Sequence, residues 1–305
     1  SQIKLEAFNY KDAAKFVPNY SYEEKAICYG ITGGVAKYLS LLDSSKSLDE
    51  NIIRLFFKND GYLYDETRNL LTQEFTDITL VNNVIQQVAD GETNLHVIAD
   101  RLKANEPTLL YSLDKLINVG IVEKKKCITE ENNKKKTQYV LKDQMFRFWY
   151  KYVAQAQSVI EVSRGDVYYE QMVKPKLHEF MGDIFEQMCR YYTLVKGVEG
   201  NFGNFITECG NWWGVERVNG IQEAADIDVV GLSMLDKTAV IGECKFTYGK
   251  IDKGIYDVLV RRSALITGKY RVTKMILFSL NGFTSWFDEV NSQDIVLVTL
   301  KDLYE

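Results

Sequence analysis

Asp226-Ile-Asp228-Val-Val-Gly-Leu-Ser-Met-Leu-Asp-Lys-Thr-Ala-Val-Ile-Gly-Glu243-Cys-Lys245-Phe is the stretch on which the fold turns. Two apolar runs, Ile227 to Leu232 and Thr238 to Ile241, flank a polar Leu-Asp-Lys turn, so the segment reads as a β-hairpin. Strand side chains alternate between faces, which puts Asp226 with Asp228 and Glu243 with Lys245. Cys244 then points the other way, into an apolar layer. Pairing the two strands brings Asp228 and Glu243 to one point with an ammonium beside them.

Two carboxylates at one point are costly unless protonated or bound to a cation, and oxygen ligands favour Mg²⁺ or Mn²⁺. A lysine two residues beyond the second acid can orient a water or offset charge at phosphorus. Asp…Glu-x-Lys on adjoining strands resembles the PD-(D/E)xK nuclease superfamily, which includes restriction endonucleases and archaeal Holliday-junction resolvases. That superfamily adds an acid from the helix before the hairpin. Here the helical-period segment Val173 to Tyr192 contains Phe185-Glu186, and Glu186 is the matching position. The resemblance implies a catalytic set of Glu186, Asp228, Glu243 and Lys245. Asp228 and Glu243 would hold the metal, joined by the Cys244 backbone carbonyl and by Glu186, directly or through water. Lys245 would position the nucleophilic water. No proline precedes Asp228, a departure this loose motif tolerates. The competing reading is an ordinary surface hairpin.

The chain of 305 residues carries a formal net charge of −5, which argues against a general polyanion binder and leaves any nucleic-acid contact to a local basic patch. No apolar run approaches a membrane span. Five scattered cysteines suggest reduced thiols and a cytoplasmic setting. His96 and His178 are the two histidines, and neither lies in a zinc-type setting, which argues against structural zinc and His-based nucleophilic catalysis. Because it opens on Ser1 rather than Met, the chain reads as a fragment or as carrying an expression scar.

Four regions follow. Residues 1–76 are helical, with Ser21 and Glu24 spaced as a capping box. Gly30-Ile-Thr-Gly33-Gly34-Val-Ala-Lys37 superficially suggests a phosphate loop, but lacks the spacing and the preceding strand, so it reads as a bend between helices. Residues 77–143 read as three helices and a two-stranded wing, a winged helix-turn-helix, with Pro107 in the first turn of the third helix. Lys124, Lys125, Lys126, Lys134, Lys135 and Lys136 could meet phosphates from the wing. A solvated wing on a protein–protein spacer explains them equally well. The reading helix, with Lys115 beside Asp114, is poor in base-directed cations. Residues 144–167 comprise an aromatic, core-facing helix (Phe146, Phe148, Trp149, Tyr150) and a linker from Val159 to Asp166. By the same resemblance residues 168–305 are expected to form an αβββαβ nuclease-like domain, and Lys250, Lys253, Arg261 and Arg262 are further candidates for phosphate contacts. Trp212 and Trp213 read as core and edge packing.

Several segments together are similar to one family: Tyr29-Gly-Ile-Thr-Gly33-Gly34-Val-Ala-Lys-Tyr38-Leu39, Leu63-Tyr-Asp-Glu66, Asp143 to Tyr150, Met181-Gly-Asp-Ile-Phe185-Glu186, Trp212-Trp213-Gly214, Asp226-Ile-Asp228 and Gly242-Glu243-Cys-Lys245. They resemble the archaeal-type AAA-superfamily ATPases, whose C-terminal domain of unknown function is nuclease-like. The resemblance implies a helical lid, a winged helix and a nuclease-like domain acting on DNA, with ATP bound only by a P-loop core in cis. This chain contains no GxxxxGK[ST], so that core is missing from it. Ala36 stands where the family has Pro, and Asp226 where it has Glu. The alternative is a catalytically idle nuclease fold that, with the winged helix, binds nucleic acid or a partner and regulates the ATPase.

Overall fold

A computed structural model describes residues 6–130, 132–133, 136–290 and 292–305. The described residues form two compact units: those up to 126 with 136–177, and those of 127–133 with 178–305.

The first unit opens with helices α1 (Tyr10–Ala13), α2 (Tyr22–Thr32), α3 (Ala36–Ser40), α4 (Leu48–Phe56) and α5 (Tyr62–Glu74). The capping box at the start of α2 is present, with the Ser21 N–H donating to Glu24 at 2.8 Å and the Glu24 N–H to Ser21 Oγ at 3.2 Å. The glycines after α2 make a bend. Gly33 sits at φ +61°, and a Cβ on Gly34 would lie 2.0 Å from the Phe8 carbonyl oxygen.

Helices α6 (Ile78–Ala89), α7 (Leu95–Leu102) and α8 (Glu106–Asn118) follow, capped by Asp77, Asn94 and Asn105. Strands β1 (Val122–Lys126) and β2 (Thr137–Leu141) then pair antiparallel, Val122 opposite Leu141. α9 (Gln144–Phe148) runs into a wide π-type turn over Trp149–Val153. Phe146 and Phe148 are fully buried, and the Phe148 ring stands 4.9 Å from that of Phe56, so the aromatic run is core. The expected linker is not a linker. α10 (Gln157–Glu161) and α11 (Gly165–Tyr168) occupy it, reversed at Ser163 with φ +57°. Gly165 packs so closely that a Cβ would lie 2.0 Å from the Phe57 carbonyl oxygen, which its composition alone does not reveal.

In the second unit the long helix α12 (Leu177–Val198) precedes a five-stranded mixed sheet. Its order is β3 (Glu208–Val218), β4 (Ile221–Ser233), β5 (Thr238–Lys245), β6 (Arg271–Ser279), β7 (Ile295–Thr299). β3, β4 and β5 run antiparallel, whereas β5, β6 and β7 run parallel. α13 (Lys253–Ser263) connects β5 to β6, α14 (Trp286–Glu289) connects β6 to β7, and α15 (Leu300–Tyr304) closes the chain. One core layer gathers Trp212, Ile227, Val230, Ile241, Leu259 and Leu277, with Trp213 packed at its margin. Cys127 and Ile128 join this layer, and the Ile128 N–H donates to the Asn211 carbonyl at 3.2 Å. β7 is an edge strand with Leu297 exposed.

Two features of β4 locate the site. Gly210 pairs with Val230 and Trp212 with Ile227, so two steps along β3 match three along β4. The extra residue falls at Asp228–Val229, a β-bulge of the kind that re-aims a side chain. The ladder between β4 and β5 ends at Val229–Gly242, leaving Asp228 and Glu243 as the next pair where the strands part. Among the described residues no helix is long and apolar enough to cross a membrane.

Candidate functional site

The site lies at the carboxyl end of the central strand β5, the usual mouth of a sheet with parallel strands. Because β4 and β5 separate there, the Cys244 N–H has no backbone acceptor on β4. It donates instead to Asp228 Oδ2 at 2.8 Å. Glu243, opposite Asp228, accepts from the Lys245 ammonium at Oε1, two residues on along the same strand. Cys244 turns away beside Cys189 of α12, and burial pushes both thiols up, making them packing groups rather than nucleophiles.

Glu186 projects from α12. Its Oε2 accepts from Arg190 Nη1 at 3.1 Å, one helical turn later, and the same nitrogen donates to the Asp228 carbonyl at 2.7 Å. Asp228 and Glu243 are both 8% exposed. Burial pushes the Asp228 carboxyl well above the ordinary aspartate range. The neighbouring charges of Glu243 and Glu186 push the same way, against the Cys244 N–H bond and Lys245. Burial works against the Lys245 ammonium too, but the Glu243 carboxylate, by charge and hydrogen bond, outweighs it and holds the amine above the usual lysine range.

Three carboxylates therefore stand with two cations, Arg190 and Lys245. The second oxygen of Glu243, Oε2, is buried without a hydrogen-bond partner. A buried anionic oxygen in that state is costly and fits a missing positive group. Among the described residues, however, no three His, Cys, Asp or Glu side chains stand ready as a metal cage. Asp228 and Glu243 with water oxygens suit a hard ion such as Mg²⁺, which ordinarily uses one or two protein carboxylates.

The other sequence candidates lie elsewhere. Alternation puts Asp226 and Asp228 in one environment, but across the bulge they differ: Asp226 is exposed and accepts from Arg262 at 2.9 Å, while Asp228 is buried. Arg261 and Arg262, read as phosphate contacts, hold the buried Glu216 at 2.8 and 3.3 Å. Lys253 pairs with Asp257 at 2.6 Å, and Lys250 is exposed. In the first unit, Lys124 pairs with Asp114 at 3.2 Å, Lys126 is exposed, and Lys125 and Lys136 are half-buried. Lys134 and Lys135 lie outside the described residues. His178 packs its ring 4.1 Å from that of Tyr248, a packing histidine. Sequence reasoning missed Arg190. The signal is its place four residues after Glu186, which is also the spacing of many solvated helix pairs.

Residues 149–257 match a family model, DUF234, described as archaeal and bacterial proteins of unknown function, and the match takes in α12 and both strands of the site. The chain is also 26% identical over 268 residues to an uncharacterized protein of Methanocaldococcus jannaschii. That alignment covers 87% of this chain and 58% of the relative, so the chain spans little more than half the relative's length. A crystal structure of protein VC1899 from Vibrio cholerae aligns with a TM-score of 0.33 and 12% identity, covering 96% of this chain and 58% of that one.

Proposed function

We propose that the second unit is a PD-(D/E)xK-type domain that hydrolyses DNA phosphodiesters with Mg²⁺ or Mn²⁺. The observation that carries this reading is the surplus of negative charge where β4 and β5 part, marked by the orphaned Glu243 Oε2. Asp228 and Glu243 would hold the ion, with the Cys244 carbonyl as a further oxygen and Glu186 reaching the shell through water. The ion supplies Lewis-acid neutralisation of charge building on the phosphoryl oxygens. Lys245, tethered to Glu243, donates to the attacking water and orients it. The water gives one proton to bulk solvent as its oxygen bonds to phosphorus, the P–O bond to the sugar breaks, and the leaving oxygen takes a proton from solvent.

In the first unit, α6 to α8 with β1 and β2 have the element order of a winged helix. Lys124, Lys125, Lys126 and Lys136 are its candidate phosphate contacts, and Lys250 and Lys253 those of the second unit. Arg261 and Arg262 drop out because Glu216 holds them. By resemblance to the archaeal-type AAA-superfamily ATPases, a nucleotide-driven core elsewhere in a longer parent chain would gate the activity.

Plasmid, fork, junction and single-stranded DNA incubated with Mn²⁺ test the proposal. Cleavage should fall about 100-fold or more in K245A and D228N. Cleavage that persists in both variants would rule out this site. A second reading, an idle platform for DNA or a regulatory partner, draws on the grip of Arg190 on Glu186. DNA retention without cleavage at any Mn²⁺ concentration would select it.

A further inference from the structure

We propose that Arg190 is a positioning residue that keeps Glu186 out of direct contact with the bound cation and so sets the site to take a single divalent ion. This rests on the cation reading above and adds how the site is regulated from within.

The geometry is specific. One guanidinium nitrogen serves two acceptors, Glu186 Oε2 at 3.1 Å and the Asp228 carbonyl at 2.7 Å. The two side chains are 12% and 22% exposed, so solvent screens the pair far less than a surface ion pair. The Asp228 carbonyl belongs to the bulge, where β4 carries one residue more than β3 can match. Arg190 satisfies it from α12. It thereby ties the helix to the bulge and holds the Glu186 carboxylate with the same group.

A cation and Arg190 compete for that carboxylate, because both need its negative charge. Lys245 already occupies Glu243 Oε1, leaving Oε2 as the open oxygen, and Asp228 keeps Oδ2 on the Cys244 N–H. The remaining oxygens suffice for one hard ion whose shell is mostly water, and are too few for two. The absence of a ready three-ligand cage among the described residues follows from the same arrangement.

The test is Mn²⁺ titration of the full chain by calorimetry and by electron paramagnetic resonance, neither of which depends on activity. The unaltered chain should bind one Mn²⁺. R190Q removes a nearby positive charge and the hold of Arg190 on Glu186, so affinity should rise by about three- to tenfold. R190K keeps the charge and should match the unaltered chain. E186Q should weaken binding by no more than about threefold, and R190Q with E186Q should lose the gain, as coupled neighbours do. A clamp that only stabilises the fold predicts unchanged or weaker binding in R190Q, which would overturn the proposal. Should R190Q fail to fold, E186Q decides: loss of binding as severe as that of D228N overturns the proposal, and near-normal binding supports it. No uptake by the unaltered chain overturns the cation reading and this inference with it. Uptake that R190Q leaves unaltered overturns this inference alone.

Discussion

Among the described residues of the second unit, two clusters of buried carboxylate and cation are built to opposite ends. Around Glu216 two guanidiniums meet one carboxylate: Arg261 Nε at 2.8 Å, Arg261 Nη2 at 3.1 Å and Arg262 Nε at 3.3 Å. Arg262 reaches on to the carbonyl and side chain of Asp226 at 2.8 and 2.9 Å, tying α13 to β4. Both Glu216 oxygens are satisfied, and the Arg261 guanidinium, followed by that of Arg262, holds its carboxyl below the usual range. Around Asp228 and Glu243 the acids outnumber the cations, one oxygen is orphaned, and the Asp228 carboxyl is pushed up. A balanced cluster secures the fold. An unbalanced one is what the proposed cation would offset.

Substitutions should separate the two. The largest effect is expected from D228N and E243Q, each lowering Mn²⁺ affinity about 100-fold or more by calorimetry, because few protein ligands remain. Without metal, D228N should instead stabilise the chain at neutral pH by about 1 kcal/mol, since it removes a poorly compensated buried charge. The sign follows from the raised carboxyl. Ionised Asp228 costs the folded state nothing below the ordinary value of 3.8, and the cost grows as pH rises through its elevated one. Thermal melts in chelator should therefore show the D228N advantage at neutral pH and lose it at the acid end. No advantage at any pH would contradict the imbalance.

E216A should act the other way, destabilising the chain by about 2 kcal/mol in denaturant melts through lost charge-assisted hydrogen bonds. Half-exposed Arg261 keeps the figure below that of a fully buried pair. Because the Glu216 carboxyl lies below its ordinary 4.5, the cluster's contribution is present above that value and fades as pH falls through the lowered one. Mn²⁺ binding should not change in E216A. Loss of binding there would mean that the clusters are not separable.

The smallest effect concerns the first unit. Burial pushes the Asp143 carboxyl up to about 6, while its oxygen accepts the Phe146 N–H at 3.1 Å as the cap of α9. D143N keeps a capping side chain and removes the charge, so it should stabilise by about 1 kcal/mol above pH 6. Below pH 4 the difference should disappear, a window that urea melts at several pH values would read.

The local part of this structure was legible in the sequence. The capping box at Ser21, the break at Gly33 and the hairpin around Leu235-Asp236-Lys237 follow from neighbours in the chain. The approach of Asp228 to Glu243 also follows, because strand alternation and a short turn set it. What escaped depends on partners distant in sequence. The bulge at Asp228–Val229 is a mismatch between two strands and cannot be read from either alone. Arg261 and Arg262 look like free cations until Glu216 arrives from 45 and 46 residues away. The segment 159–166 looks like a linker because Ser163 and Gly165 break its pattern, yet those residues permit a tight packed turn. Arg190 was hidden for a further reason: its second bond runs to a main-chain carbonyl, which carries no sequence signature.

Anomalous diffraction from crystals soaked in Mn²⁺ tests the account most directly. A single peak within coordination distance of Asp228 and Glu243, with Glu186 still on Arg190, is the expected result. Crystals with no peak there at saturating Mn²⁺, and with Glu243 Oε2 still unpartnered, would contradict it.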